Sequence, residues 1–419
     1  MRIACYGLVD QAAGSVSSAN YYLLDELLQR GHQIDFYAKK DYVHPERLFH
    51  HEGFTYHGVL LEDKVAKRAR IPAVLDRALH RAIEEWLYRA HLEEIAVQIA
   101  RDHRLQPFDL LLFLGVGALF EGPGMPVVSW VQGPPQTEWR AIERLRPQIQ
   151  QLCGRMLYTK LRVFYAYKQR AARRELARTD HVICGSPWAR QHVIDFGVAP
   201  ARVHALPYPI DLELFRPEEQ APLHAGRHTL LWLGRIDPRK RLDLMLDGFK
   251  LLLDERRDVH LELIGRLNYA PEYGQLIRDF PYPDHLTYRD AIQRDEVPDL
   301  LNRVAVAVQP SEDENFGSTV AEALCCGTPV VMGPTNGTAA YGGEASFLFE
   351  SYTPGAVKHA LAEALEALAR RPDELRATAR QTAEEAFDTR RVVDQLEAVC
   401  RDAISQSAGP QFSISTRTS

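Results

Sequence analysis

Short apolar runs alternate with longer amphipathic stretches along this chain, and the alternation restarts near its middle. At the N-terminus, residues 3–7 read as a strand, 14–18 as a small-residue loop, 20–29 as a helix ended by Gly31, and 33–37 as the next strand. A β-loop-α-β opening of this kind starts a doubly wound sheet, whose ligands sit beyond the carboxyl ends of the strands. Helical periodicity follows over residues 64–80 and 81–104, and strands are expected at 110–114, 126–131 and 181–184. Between the last two lies a long helical region, about 139–178, with Pro147 as a break or first-turn residue. Ile142, Ile149, Met156 and Val163 recur in it with heptad spacing, as do Leu145 and Leu152, a stripe that supports an amphipathic helix or helix pair.

The Pro-punctuated segment ALPYPIDLELFRPEEQAP reads as a hinge, after which the alternation begins again. Strands are expected at 229–233, 260–264, 286–288, 304–308 and 329–332, and helices at 241–253, 273–278, 295–302, from Ser318, and at 354–370, 372–386 and 390–405. The division that follows is a first Rossmann-like domain over 1–207, a hinge over 208–222, and a second Rossmann-like domain over 223–388. A helix over 389–405 is expected to pack back on the first domain, and a polar tail over 406–419 to be disordered. The fold class is α/β, two doubly wound domains facing a central cleft.

Composition narrows this picture. At 419 residues the chain is too long for one ordinary core. A hydrophobic content of 46% with 25% charged residues is that of a globular protein, and a net charge of -6 argues against a nucleic-acid partner. Six cysteines form no C-x-x-C pair and have no zinc-like His spacing, so they read as small core residues in a reducing compartment. The N-terminal residues lack the apolar stretch of a signal peptide. The longest apolar run, residues 110–120, is too short to span a bilayer. A cytoplasmic protein is expected, peripheral at most to the inner face of a membrane. The region 140–178 is strongly basic: Arg140, Arg144, Arg146, Arg155, Lys160, Arg162, Lys168, Arg170, Arg173, Arg174 and Arg178 stand against Glu143 and Glu175. Such a face suits an anionic membrane surface or an anionic acceptor; the plainer alternative is a solvated face beside the cleft.

Candidate chemistry concentrates in SEDENFGSTVAEALCCGTPVV, residues 311–331. Glu314 precedes a Phe316-Gly317 turn, Ser318 opens a helix, and Glu322 lies about one turn into it. Free N–H groups and the positive dipole end of such a helix suit a diphosphate, while a carboxylate one turn in can accept from a ribose diol. The ordinary alternative is charge complement at a helix N-terminus. A second motif, LLWLGRIDPRKRLDLML, puts Arg235 directly after a strand-ending Gly234 and Lys240 at the entry to the next helix. Both stand at the carboxyl edge of the second sheet, where a guanidinium and an ammonium clamp a leaving diphosphate. Alone, with Arg239 and Arg241 beside them, they would read as a solvated basic turn. Gly14 allows close backbone approach to a ligand in the first domain, which is also ordinary turn chemistry.

In order and spacing these motifs resemble glycosyltransferase family 4, retaining enzymes of the GT-B fold. The resemblance rests on Gly234-Arg235…Lys240, on Pro310-Ser311…Glu314-Asn315-Phe316-Gly317…Glu322-Ala323, on Cys326-Gly327-Thr328-Pro329-Val330-Val331, and more loosely on Gly31-His32 and Asp211…Phe215-Arg216-Pro217. It implies a UDP- or GDP-type sugar donor as co-substrate, held mainly by the second domain, with no cofactor and no metal. Arg235 and Lys240 would match the diphosphate ligands, Glu322 the ribose carboxylate, and Glu314 the donor-sugar carboxylate. Backbone N–H groups near Phe316, Gly317 and Ser318 would assist at the phosphate, and Gly265 would border the base. No D-x-D motif is present, and the consecutive carboxylates Glu312, Asp313 and Glu314 are expected to point apart. Three positions depart from the family pattern: Gln132 stands where many members carry His, Tyr208-Pro209-Ile210-Asp211 replaces Asn-Gly-Val-Asp, and Ala13-Gly14 replaces a double Gly. Gln132 can hydrogen-bond a sugar hydroxyl but cannot titrate near neutral pH. A non-catalytic nucleotide-sugar binder or partner subunit is the competing class. A GT-B epimerase or inverting transferase is a third, against which the paired glutamates argue.

Overall fold

The computed structural model of the chain describes residues 1–11, 14–40, 45, 48–59, 73–267 and 271–407. Two parallel sheets form its framework. The first has the order β3-β2-β1-β4-β5-β6-β7, from β1 (Arg2–Gly7), β2 (Gln33–Lys39), β3 (Phe54–Val59), β4 (Leu110–Gly115), β5 (Val127–Val131), β6 (His181–Cys184) and β7 (Val203–Ala205). The second has the order β10-β9-β8-β11-β12-β13, from β8 (His228–Leu233), β9 (Val259–Ile264), β10 (Leu286–Arg289), β11 (Val306–Gln309), β12 (Val330–Met332) and β13 (Ser346–Leu348). Strands such as Leu-Leu-Leu-Phe-Leu-Gly in β4 are buried at every position, because helices cover both faces of a parallel sheet. In each sheet the strand order reverses at the centre, between β1 and β4 and between β8 and β11. A crevice opens at such a point beyond the strand ends.

Several expectations are corrected. Helix α1 (Ser15–Gln29) begins at Ser15, so residues 15–18 are helical, and Gly14, with φ 48°, is its N-cap. Strands β3, β7 and β13 and helix Pro187–Asp195 were not anticipated. Helix α2 (Ala73–Leu105) is continuous where two helices were expected, and residues 64–72 of the first lie outside the described residues, as do Ala13 and the tail 408–419.

The basic region folds as α3 (Pro135–Arg144) and α4 (Arg146–Ala177), with Pro147 in the first turn of α4. The heptad stripe does not run through. Gly154, with φ 81° and ψ 165°, interrupts α4 and turns the helix about its axis. Ile142, Leu145 and Ile149 before it are buried, whereas Met156 and Val163 after it are 73% and 66% exposed.

The chain crosses between domains through 206–217. Asp211 accepts from the N–H groups of Glu213 and Leu214, and Phe215 is buried. The last helix, α12 (Thr389–Ser407), returns to the first domain. There Asp394 pairs with Arg30 at 2.6 Å and Glu397 meets His32 at 2.7 Å. All six cysteines are free thiols, five of them buried.

Candidate active site

The crevice of the second sheet is built by the segments leaving β8 and β11. Gly234 and Arg235 follow β8, and residues 310–317 lead from β11 into helix α9 (Ser318–Cys325). Thr319 donates to the Leu233 carbonyl at 3.4 Å, which sets the start of α9 beside the end of β8. The turn at Gly317 needs glycine: its φ is 90°, and a Cβ there would stand 2.3 Å from Asn336 Oδ1. Asn336 is itself locked, donating to Gln309 at 2.8 Å and accepting from Thr338 N–H. Thr335 and Gly337 complete the brace, accepting from Glu314 N–H and donating to the Glu314 carbonyl. The first N–H groups of α9, at Ser318 and Thr319, have no intrahelical acceptor and open on the crevice.

Glu314 is ion-paired with Lys240 at 2.5 Å, with both side chains largely buried. Burial alone would raise its pKa. Lys240, Arg239 and Arg235 together outweigh burial and hold the carboxyl below the ordinary carboxylate range. Arg235 is half exposed and bonded through Nε to Asp237 at 3.0 Å. The plainer alternative weighed for this segment, a solvated basic turn, is not what forms around Arg239 and Arg241, for both are buried. Arg239 donates to the Asp313 carbonyl at 3.1 Å and lies 3.6 Å from Glu138 of the first domain. Arg241, left-handed at φ 51°, binds Asp243 and Glu312. The three consecutive carboxylates are all ion-paired: Glu312 meets Arg241 and Arg144, Asp313 shares Arg144, and Glu314 turns to Lys240.

Glu322, in α9, is buried with Arg294 at 2.7 Å on Oε1. Burial raises its pKa more than Arg294 lowers it. The second carboxylate oxygen has the capacity to accept from a diol. Arg294 belongs to no motif and was not expected; its guanidinium also covers the Phe215 ring at 4.8 Å. Phe316 is fully buried between Tyr208 and Phe387, with ring centroids at 5.1 and 5.5 Å, so only its backbone borders the crevice. Gly265 is dictated by packing, since a Cβ would stand 2.1 Å from the Gly234 carbonyl.

The first domain supplies the opposite wall. Gln132 is exposed at the end of β5, near Asn20 and Val16 around Gly115, whose φ is 80°. Gly14 is exposed at the start of α1. Contacts cross between the walls: Asn315 accepts from Gly185 N–H at 3.3 Å and donates to the Tyr208 hydroxyl at 3.2 Å, and Arg144 reaches Glu312 at 3.3 Å. Sequence reasoning missed Arg294 and Gly115, and named Arg144 and Arg239 only as members of basic stretches, without these partners. The side-chain partners of the three arginines are distant along the chain.

Among the described residues, His224, His260 and Glu262 bring one potential metal ligand each to within 4.8 Å of one another. Arg289 already holds Glu262 at 2.8 Å and Arg227 lies 3.5 Å from His260, so two guanidiniums oppose a cation there.

Two Rossmann-like domains facing a crevice, with cations and a helix start at the edge of the second, are the architecture of the GT-B fold. The solved structure of sucrose-phosphate synthase from Thermosynechococcus elongatus shares the fold with a TM-score of 0.67 at 18% identity, over 97% of this chain and 99% of that one. So does Anabaena Alr3699/HepE in complex with UDP-glucose, with a TM-score of 0.62 at 14% identity over 96% and 99%. The chain belongs to glycosyltransferase family 4: residues 16–214 match the model Glycosyltransferase Family 4, and residues 216–385 match Glycosyl transferases group 1. Among curated relatives it is 30% identical over 254 residues to D-inositol 3-phosphate glycosyltransferase 1 of Catenulispora acidiphila, covering 56% of this chain and 60% of that one. It is 31% identical over 240 residues to the D-inositol 3-phosphate glycosyltransferase of Geodermatophilus obscurus, 52% of each chain. The matches thus span no more than about 60% of these relatives' length.

Proposed function

We propose that this glycosyltransferase is a retaining enzyme that moves a sugar from a nucleotide-diphosphate sugar, bound by the second domain, to a hydroxyl of a glycan, lipid-linked or small-molecule acceptor bound by the first. The observation that carries the reading is the Lys240–Glu314 pair set between Arg235, Arg239 and the start of α9. Lys240 has three N–H donors and commits one to Glu314, leaving donors for a phosphate oxygen. As the anomeric C–O bond breaks, charge grows on the departing diphosphate. Arg235, Lys240 and the α9 N–H groups are fixed in place to receive it, with no reorganisation at the moment of reaction. Glu314, kept ionised, accepts from a donor-sugar hydroxyl, and Glu322 accepts from the ribose. The acceptor oxygen bonds to the anomeric carbon on the face the diphosphate leaves, and its proton passes to the leaving group. With this much fixed positive charge, the reading is metal-independent. The neighbour solved with UDP-glucose supports a UDP-type donor, with a GDP-type donor as the other choice. Action in the cytoplasm, where free thiols persist, is part of the same reading.

Gln132 in place of the family's His favours a second reading, a nucleotide-sugar binder without turnover. A thermal-shift screen of UDP and GDP sugars, followed by transfer and hydrolysis assays with radiolabelled donor, separates the two. Stabilisation with turnover supports the enzyme, stabilisation without turnover supports the binder, and no response to any donor overturns both.

A further inference from the structure

Glu322 is 2% exposed, and burial works against the charge of a carboxylate. The last torsion of a glutamate is broad, so its oxygens also have no fixed direction unless a partner supplies one. Among the described residues the cation bonded to this carboxylate is Arg294, which donates from Nη1 to Oε1 at 2.7 Å. Arg294 is itself held at both ends. Its backbone opens the turn Arg294–Glu296, where the Glu296 carboxylate accepts from the Gln293 N–H at 2.6 Å. Its guanidinium lies over the Phe215 ring at 4.8 Å. Phe215 is fully buried and pinned in turn: its N–H donates to the Asp211 carbonyl at 2.9 Å, and its own carbonyl accepts from Arg380 at 2.7 Å. Arg380, on helix Pro372–Phe387, also donates to the Cys325 carbonyl at the end of α9, at 2.9 Å. The guanidinium thus stands on a fixed platform and ties one oxygen of Glu322, which leaves the other oxygen a single direction.

We infer that, with Glu322 read as the ribose contact, Arg294 is the positioning residue that makes the donor site select a ribose over a deoxyribose, by fixing the Glu322 carboxylate for the 2′- and 3′-hydroxyls. An ionised, oriented carboxylate receives a hydroxyl about twice as strongly as a neutral acceptor. A sugar lacking the hydroxyls leaves that acceptor desolvated and unpaired, which is the source of discrimination against it. Without Arg294, burial acts on Glu322 unopposed and pushes its pKa further above the ordinary value. The ionisable groups near it do not replace the guanidinium. Cys325 and Cys326 are thiols whose pKa burial raises, and Glu218, near Cys326, is a further acid. Arg380 is committed to the carbonyls of Leu212, Phe215 and Cys325 and to Glu384.

The test is calorimetry on the full chain with whichever of UDP and GDP the wild type binds more tightly, and with its 2′,3′-dideoxy counterpart, across a pH series. The two ligands share every phosphate titration, so the ratio of their affinities reports the diol contact. The wild type is expected to prefer the diol at least about tenfold at pH 7. Arg294→Met is expected to lower that preference at least about threefold at pH 7. It should also move the pH at which half the preference is lost upward by about one unit or more, because Glu322 then ionises only at higher pH. Arg294→Lys keeps the charge and should bring the midpoint back toward the wild type's. Arg294→Met/Glu322→Gln leaves no buried charge unpaired and should lose no more preference than Glu322→Gln alone. A wild type without preference for the diol would remove the ribose reading of Glu322 and the role of Arg294 with it. A wild type with the preference would overturn the role of Arg294 alone in any of three cases: Arg294→Met keeps the preference, Arg294→Met loses it equally at every pH, or Arg294→Lys has a midpoint no closer to the wild type's than Arg294→Met.

Discussion

Replacing Lys240 by Met keeps the aliphatic stem and removes the charge that faces Glu314 across 2.5 Å. Two quantities should change. Orphaning one member of a buried pair costs about 3–5 kcal/mol. Here the side chains retain 15% and 17% exposure, and Arg239 and Arg235 remain to act on Glu314. The expected loss of stability is therefore about 1–3 kcal/mol, or about 2–12 °C in melting temperature for a domain of this size. For turnover, deleting one preorganised group at a site of developing charge costs about a hundredfold or more. Since other cations stay, Lys240→Met should lower kcat about ten- to a hundredfold. The double-mutant cycle with Glu314→Gln separates the two effects. The double variant should recover about 1 kcal/mol or more of the summed stability losses, because neither charge is left unpaired, yet recover no activity. The assay is thermal melting without nucleotide alongside initial rates with the donor found by screening. A coupling below about 0.5 kcal/mol together with wild-type kcat in Lys240→Met would refute the clamp.

Other outcomes follow from the same geometry. Glu322→Ala should weaken binding of the cognate nucleoside diphosphate about tenfold or more through loss of a charged hydrogen-bond acceptor; unchanged affinity for both UDP and GDP in calorimetry refutes the ribose contact. Gly317→Ala should cost about 1–3 kcal/mol, because its φ of 90° and the nearby Asn336 leave no room for a Cβ; a melting curve like the wild type's would contradict the brace. Glu314 titrates below its ordinary 4.5, so its stabilising contribution is complete above pH 4.5 and disappears as pH falls through the lower folded value. Glu314→Gln should lack that acid step in a melting-temperature profile. EDTA should leave turnover unchanged, and an activity lost to EDTA and restored by Mg²⁺ or Mn²⁺ would sink the metal-independent reading.

The α/β fold was legible because parallel strands are continuous apolar runs and the helices between them carry clean stops, as at residues 354–370, where expectation and structure coincide. Two of the three strands passed over, Val203–Ala205 and Ser346–Leu348, have three residues each and too little pattern to read; the third, Phe54–Val59, is a half-exposed edge strand. The heptad stripe failed at Gly154 because one glycine at positive φ resets helical phase, which periodicity counts do not register. Arg239 and Arg241 were given no role of their own because basic residues on a turn look alike whether they face water or carboxylates. Glu312 and Asp313, which bury them, lie more than seventy residues away. Arg294 carries no spacing signal, and only the folded chain brings it to Glu322.

Asn315 gives the neighbouring Glu314 a second task. Its amide is tied to Gly185 and to the Tyr208 hydroxyl, so the loop carrying Glu314 is fastened to the other half of the molecule. If the halves part, both ties break and that loop loses its outer support just as bulk water gains entry. Asn315, together with Arg144 on Glu312 and Asp313 and Arg239 near Glu138, would then act as an interlock between the mouth of the crevice and the residues at its floor.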